Sequence, residues 1–385
     1  MSQPLSTGKW AAILFAFTLV AFVVESQLTQ YVQTDLGFRQ PYFVFYIVHS
    51  AFMIMCPLHF LFLTITSKES PRAYYHGLRL ALAEHITPSF FDQPGMFPTW
   101  GFIRLSVCLA LAIAVPALLW FVAITYAPLT DVTALWNTNA FFAYVITVRV
   151  FGLRWEARRL ASVLLATLGA AAVVYGGSDA PDASAASTAA AKSALIGDVL
   201  TLCASVIYGV YQVLYKLYAA LPTDPDHFDT VTVGTGYEPI AGSSEEPAEL
   251  DVPDKPAAVY PPPFGLYANT LTSAIGVFTA LLLWVPIPIL HYLDIEKFRL
   301  PSDITTVMVI GAISLSGVIF NAGLMILLGL WGPIVTSVGN LLTIVLVFIS
   351  DILFGSGIQS VTFWGLLGSA GIVTAFGVLA YDMLK

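Results

Sequence analysis

Val132-Thr133-Ala134-Leu135-Trp136-Asn137 and Val335-Thr336-Ser337-Val338-Gly339-Asn340 share Val, Thr and Asn at a constant separation of 203 positions. The register continues without a gap, pairing Ile146 with Ile349, Phe151-Gly152 with Phe354-Gly355, Leu164 with Leu367 and Ala172 with Ala375. One membrane unit used twice would produce this echo, and two segments rich in Ala, Val and Leu would produce part of it through composition alone. Fold and function both turn on which explanation holds.

Composition sets the environment. Of 385 residues, 57% are apolar and only 10% charged, against about a quarter charged in a soluble domain. Water cannot accommodate that much apolar surface, whereas runs of roughly 20 apolar residues cross a bilayer as helices. The chain therefore reads as an all-α integral membrane protein in contact with membrane lipid. Its net charge of -8 gives no argument about partners, because residues 220–263 hold nine acidic residues and one lysine, leaving 15 of each sign elsewhere. That stretch reads as a disordered, solvated acidic connector, and nothing in it points to nucleic acid. Cys56, Cys108 and Cys203 all fall in apolar runs without paired spacing and are expected to be free and buried.

Apolar runs between polar breaks place spans near Trp10 to Gln27, Tyr42 to Thr66, Thr99 to Ala123, Leu129 to Phe151 and Ala157 to Gly176. Five more follow near Ala194 to Tyr218, Phe264 to Leu290, Ile304 to Leu330, Pro333 to Phe354 and Thr362 to Leu384. Pro57, Pro116 and Pro286 are expected to kink or end their helices. The first run is followed by Glu25-Ser26-Gln27 and not by a small-residue cleavage site, so it reads as a span. Residues 1–176 then form a first five-helix repeat, 177–193 an Ala/Ser/Asp-rich linker, and 194–385 a second repeat carrying the acidic connector. An odd number of spans per repeat inverts the second copy, giving ten transmembrane helices as a 5+5 inverted repeat.

Lys9, Lys68, Arg72, Arg79, Arg154, Arg158, Arg159, Lys255 and Lys385 fall on the side of the N-terminus, against Arg39, Lys192, Lys297 and Arg299 on the other. The excess of positive charge assigns both termini and the acidic connector to the cytosol. Small residues four apart, Ala166/Ala170, Gly365/Ser369 and Gly371/Ala375, allow close helix contact, either within one bundle or in a homodimer.

Polar groups inside spans are costly, so they pair or line a wet cavity. Asn137 and Asn340 stand at equivalent depths in the two repeats and are the leading substrate-binding pair, with an interhelical hydrogen bond as the competing role. Tyr208, Tyr211, Gln212 and Asn321 in the second repeat, and His49 and Glu25 in the first, complete the candidate set. Glu25 is a candidate proton-coupling carboxylate, and His49 reads first as a satisfied core residue. Lys216 sits close enough to a helix end to snorkel to the surface. No His-Glu-x-x-His, Gly-x-Ser-x-Gly or Walker A sequence occurs, so no catalytic residue, metal or cofactor is implied.

Gly197-Asp198-Val199-Leu200-Thr201-Leu202, running into Tyr208-Gly209-Val210-Tyr211-Gln212-Val213-Leu214-Tyr215-Lys216, resembles the helix-six signature of the drug/metabolite transporter superfamily (EamA-like). The hairpin Glu25-Ser26-Gln27-Leu28-Thr29-Gln30-Tyr31 followed by Gln40-Pro41-Tyr42-Phe43-Val44 is similar to the F-like branch of solute carrier family 35. After Gly152 the chain departs from that pattern with Leu153-Arg154-Trp155. The resemblance implies a ten-helix carrier with spans one to four and six to nine around a cavity, spans five and ten peripheral, and a vacuolar or Golgi membrane. It names no substrate, although the interiors of spans seven to nine lack Lys and Arg, which disfavours a strongly anionic one. The expected function is secondary transport of a small polar organic metabolite across an endomembrane by alternating access. The other class is a non-transporting scaffold or sensor acting through the acidic connector, which deletion of Asp224 to Lys255 would separate from a carrier.

Overall fold

Where no water is available to backbone N–H and C=O groups, each must be bonded within its own segment, and helices are the simplest answer. In a computed structural model that describes residues 5–67, 69–87, 97–127, 129–175, 188–221, 259–346, 349 and 363–383, the regular structure is helical throughout. The first half contains α1 (Leu5–Thr34), α2 (Pro41–Ser50), a 3-10 turn (Ala51–Ile54), α3 (Met55–Thr66), α4 (Pro71–Ile86), α5 (Thr99–Ala123), α6 (Leu129–Asn137), α7 (Asn139–Val150) and α8 (Ala157–Tyr175). The second contains α9 (Thr188–Tyr218), α10 (Leu266–Leu282), α11 (Pro286–Tyr292), α12 (Ile304–Asn340) and α13 (Phe363–Met383). Among the described residues, six helical stretches are long and apolar enough to cross a membrane, or seven if the pair α10 and α11, bent by 41°, counts as one span.

The irregularities have identifiable causes. Pro57 has no N–H for the carbonyl of Met53, and the chain passes through the 3-10 turn Ala51–Ile54 just before it. Ser273 of α10 supplies what is missing: its hydroxyl lies 3.2 Å from the carbonyls of both Phe52 and Met53 and accepts the Cys56 N–H at 2.6 Å. Pro286 likewise stands at the start of α11, after the bend. Pro116 lies inside α5.

Gly332 divides α12, with φ 76° and ψ 172°. Before it, Met325 meets Tyr211 and the Gly329 carbonyl accepts from Lys216 of α9; after it, Ser337 bonds Gln212, one turn back along α9. A continuous helix would carry Ser337 beyond Lys216, so the chain folds back at Gly332. The Lys216 ammonium sits where the first part of α12 presents its last carbonyls, a favourable place for a cation. Lys216 thus ends on a carbonyl of a neighbouring helix.

Thr138 separates α6 from α7. Its N–H bonds the Leu135 carbonyl at 3.2 Å and its carbonyl accepts from Phe141 at 3.0 Å. Leu341, 203 positions later, does the same: its N–H bonds Val338 at 3.1 Å and its carbonyl accepts from Ile344 at 3.1 Å.

Helix α8 packs chiefly on α13, α1 on α12, and α9 on α5, α6 and α7, while α10 runs along α2 and α3. The contact of α8 with α13 is very close: a Cβ at Gly368 would stand 2.3 Å from the Gly169 carbonyl oxygen, and one at Gly169 2.7 Å from that of Gly368. Small residues on these helices thus serve packing within the chain.

Several expected boundaries shift. Residues 177–187 of the anticipated linker lie outside the described residues, and α9 already begins at Thr188. Residues 222–258 of the acidic connector also lie outside them, but its end is docked, with the Val259 N–H on the Ala73 carbonyl at 3.1 Å and the Tyr260 hydroxyl on Glu84 at 2.5 Å. The cysteines are free, yet Cys108 and Cys203 are exposed and not buried. An apolar run in a membrane bundle has a lipid face as well as a core face, and a thiol suits either.

Candidate functional site

Helix α1 carries Thr18, Glu25, Thr29 and Gln33 at intervals that keep them on one face, and all four are buried. Glycines of α12 receive that face: a Cβ at Gly323 would lie 2.1 Å from the Thr18 hydroxyl, and one at Gly317 3.0 Å from Glu25 Oε1. Thr18 is satisfied by the Leu14 carbonyl at 2.8 Å. By contrast Glu25 Oε2, Thr29 Oγ1 and both ends of the Gln33 amide are buried without a hydrogen-bond partner among the described residues.

Glu25 faces a small central cavity of about 40 Å³. Both halves of the chain build it: Phe22 and Glu25 come from α1, His49 from α2, Trp120 and Phe121 from α5, Trp136 from α6, Tyr208 from α9, and Phe320 and Asn321 from α12. His49 is wedged between Phe45 and Phe52, with ring centroids 4.5 and 4.8 Å away, and its Nδ1 lies 3.2 Å from the Phe45 carbonyl. That contact requires a proton on Nδ1, which leaves Nε2 of the neutral ring an acceptor. Asn321 donates from Nδ2 to the Gly317 carbonyl at 3.0 Å. Tyr208 stacks near Trp136, with centroids 4.6 Å apart, and its hydroxyl and the Trp120 indole N–H have no partner among the described residues.

Of the residues singled out in the sequence, Glu25, His49, Tyr208 and Asn321 therefore meet around one space. Tyr211 lies one turn on. Its hydroxyl reaches the Met325 sulfur at 3.3 Å, its ring stacks on Tyr208 at 6.0 Å, and it helps line a second, larger cleft of about 450 Å³ with His85, Arg104 and Tyr218. Gln212 belongs to a separate polar knot, donating to Asn139 Oδ1 at 3.2 Å and bonded by the Ser337 hydroxyl. Asn137 bonds back to the Thr133 carbonyl at 2.8 Å, while Asn340 Oδ1 is buried without a partner among the described residues. Neither asparagine is among the residues lining the central cavity; each immediately precedes a one-residue helix break. The aromatic walls were not singled out in the sequence. Trp136 even lies within the echoed segment, but a tryptophan in a membrane span has too many ordinary uses to stand out.

No family model matches the chain. An uncharacterized transporter of Schizosaccharomyces pombe is 24% identical over 393 residues, covering 97% of this chain and 97% of that protein. A solved crystal structure of a protein, 11% identical, superposes with a TM-score of 0.54 over 98% of this chain and 99% of that one, a likeness of fold alone.

Proposed function

We propose that the protein is a secondary carrier that moves a small polar organic molecule across an endomembrane, Golgi or vacuolar, by alternating access to the central cavity. The observation that carries this reading is the cavity itself: it lies where helices of both halves meet and holds Glu25, Tyr208 and Trp120 atoms that bond nothing among the described residues. Buried polar groups left unmade are costly, and a site that must exchange water for a ligand explains them. The full-length likeness to a protein named as a transporter agrees with it.

In this reading the chain has ten spans in two inverted units of five, with Gly332 separating the eighth from the ninth. The matching breaks at Thr138 and Leu341, in the register of the sequence echo, support common descent of the units. So do the helix contacts, which exchange when each span is replaced by its counterpart: one on eight and nine for six on three and four, with five on ten and two on seven unchanged. Asn137 and Asn340 then act at paired hinges, each next to a break that lets part of a span tilt. Both termini face the cytosol.

The test is reconstitution of the full chain in liposomes, exposure to a panel of polar metabolites, and mass spectrometry of the trapped contents. At least one compound should accumulate above protein-free liposomes, and Tyr208→Phe, which removes an orphan hydroxyl, should alter its uptake. Folded wild-type protein that accumulates none of the panel, or an identified substrate indifferent to changes at both Glu25 and Tyr208, overturns the assignment.

A further inference from the structure

The central cavity holds one carboxylate and, among its lining residues, no lysine or arginine. Glu25 is only 4% exposed, it has no ion pair among the described residues, and its Oε2 has no hydrogen-bond partner among them. Its surroundings are aromatic rings: Phe22 lies 4.8 Å from Phe320, Trp120 5.1 Å from Phe121 and Trp136 4.6 Å from Tyr208, centroid to centroid. His49, the other ionisable group on the wall besides Tyr208, offers Nε2 as an acceptor when neutral.

Resting on the reading of this cavity as the substrate site, we infer that its ligand is an organic cation, an amine or quaternary ammonium, with the positive nitrogen held against Glu25 between aromatic faces. Each feature favours that class. Ring quadrupoles attract a cation, most strongly where water is excluded. An unpaired buried carboxyl is stable as an anion only beside a positive partner, so a cation gains there what an anion cannot. The orphan Tyr208 hydroxyl and Trp120 N–H remain to donate to an oxygen on the neutral part of the ligand.

The experiment compares binding of choline, its neutral isostere 3,3-dimethyl-1-butanol, and the anion 3,3-dimethylbutanoate to purified full-length protein, by calorimetry and by ligand-induced thermal shift. Choline should bind at least tenfold more tightly than the neutral isostere, and the anion should not bind. Glu25→Gln should abolish the preference for charge, and Trp120→Leu should weaken choline without inverting that preference. Equal or better binding of the neutral isostere to wild-type protein overturns the inference without recourse to any variant, as does a Glu25→Gln protein that keeps the preference. Charge-selective binding without flux in liposomes would keep the cation site and overturn the carrier reading instead, so the two fail separately.

Discussion

Replacing Gly276 by alanine should cost the bundle about 3 kcal/mol, and the geometry gives the reason. A Cβ there would stand 2.2 Å from the Met53 nitrogen, 2.7 Å from the Phe52 carbonyl carbon and 2.9 Å from Phe52 Cβ. The first two are backbone atoms and cannot rotate aside, so α10 must back away by about 1 Å to restore ordinary contact. Ser273, one turn away on the same face, would retreat with it and stretch the bonds that repair the Pro57 kink, now 2.6 and 3.2 Å long. Overpacking contributes about 1–3 kcal/mol, and the stranded polar groups roughly as much again. Gly311→Ala is the control, since nothing lies within 4 Å of a Cβ there and the substitution should stabilise the helix by about 0.5 kcal/mol. Thermal unfolding of the purified variants in detergent, followed by tryptophan fluorescence and size exclusion, reads the difference. A Gly276→Ala protein that unfolds with the wild type, or a Gly311→Ala protein that falls as far, refutes the argument.

Other outcomes follow from the same geometry and from the connecting segment after α11. Gly368→Ala, whose Cβ meets the Gly169 carbonyl at 2.3 Å, should destabilise the pair α8 and α13 by about 1–3 kcal/mol, whereas Gly371→Ala, with its nearest neighbour at 3.6 Å, should be tolerated in the same unfolding assay. Glu296 accepts the N–H groups of Tyr42 and Phe43, both at 2.9 Å, but burial still holds its carboxyl above the ordinary 4.5. The folded protein therefore binds that proton more tightly than the unfolded chain. The contribution is complete below 4.5 and is lost as pH rises through the raised value. Unfolding temperatures measured over about pH 4–7 should fall on this account and Glu296→Gln should flatten the slope; an unchanged slope removes Glu296 as its source.

The helical character and the position of six or seven of the expected spans were legible because a bilayer allows few alternatives and long apolar runs report it directly. The echo paired Asn137 with Asn340, each one residue before a helix break, but it pointed to a binding pair and not to breaks, since an i to i+3 turn at Thr138 or Leu341 leaves no compositional mark. Helix α4 was missed by a search for apolar spans. Its own signals were present: Ser70 caps it by accepting the Ala73 N–H at 3.2 Å, Pro71 opens it, and Tyr74, Leu78, Ala81 and Leu82 make a buried stripe. The candidate site was half legible. A list of intramembrane polar residues contained Glu25, His49, Tyr208 and Asn321, yet their convergence depends on glycines 317 and 323 letting α12 approach α1, a relation between residues about 300 positions apart. The same list could not tell these groups from Gln212, which Asn139 and Ser337 satisfy.

The hydroxyl of Ser273 completes backbone groups that belong to Phe52, Met53 and Cys56, and it follows Cys56 by 217 residues. At a synthesis rate of 5–20 residues per second, roughly 10–40 s separate the appearance of the two. Throughout that interval the second span stands in the membrane with a proline break that its own half does not repair. The first half therefore leaves the ribosome unfinished until α10 arrives, and quality control has a definite local defect to recognise in any chain that stops short of it.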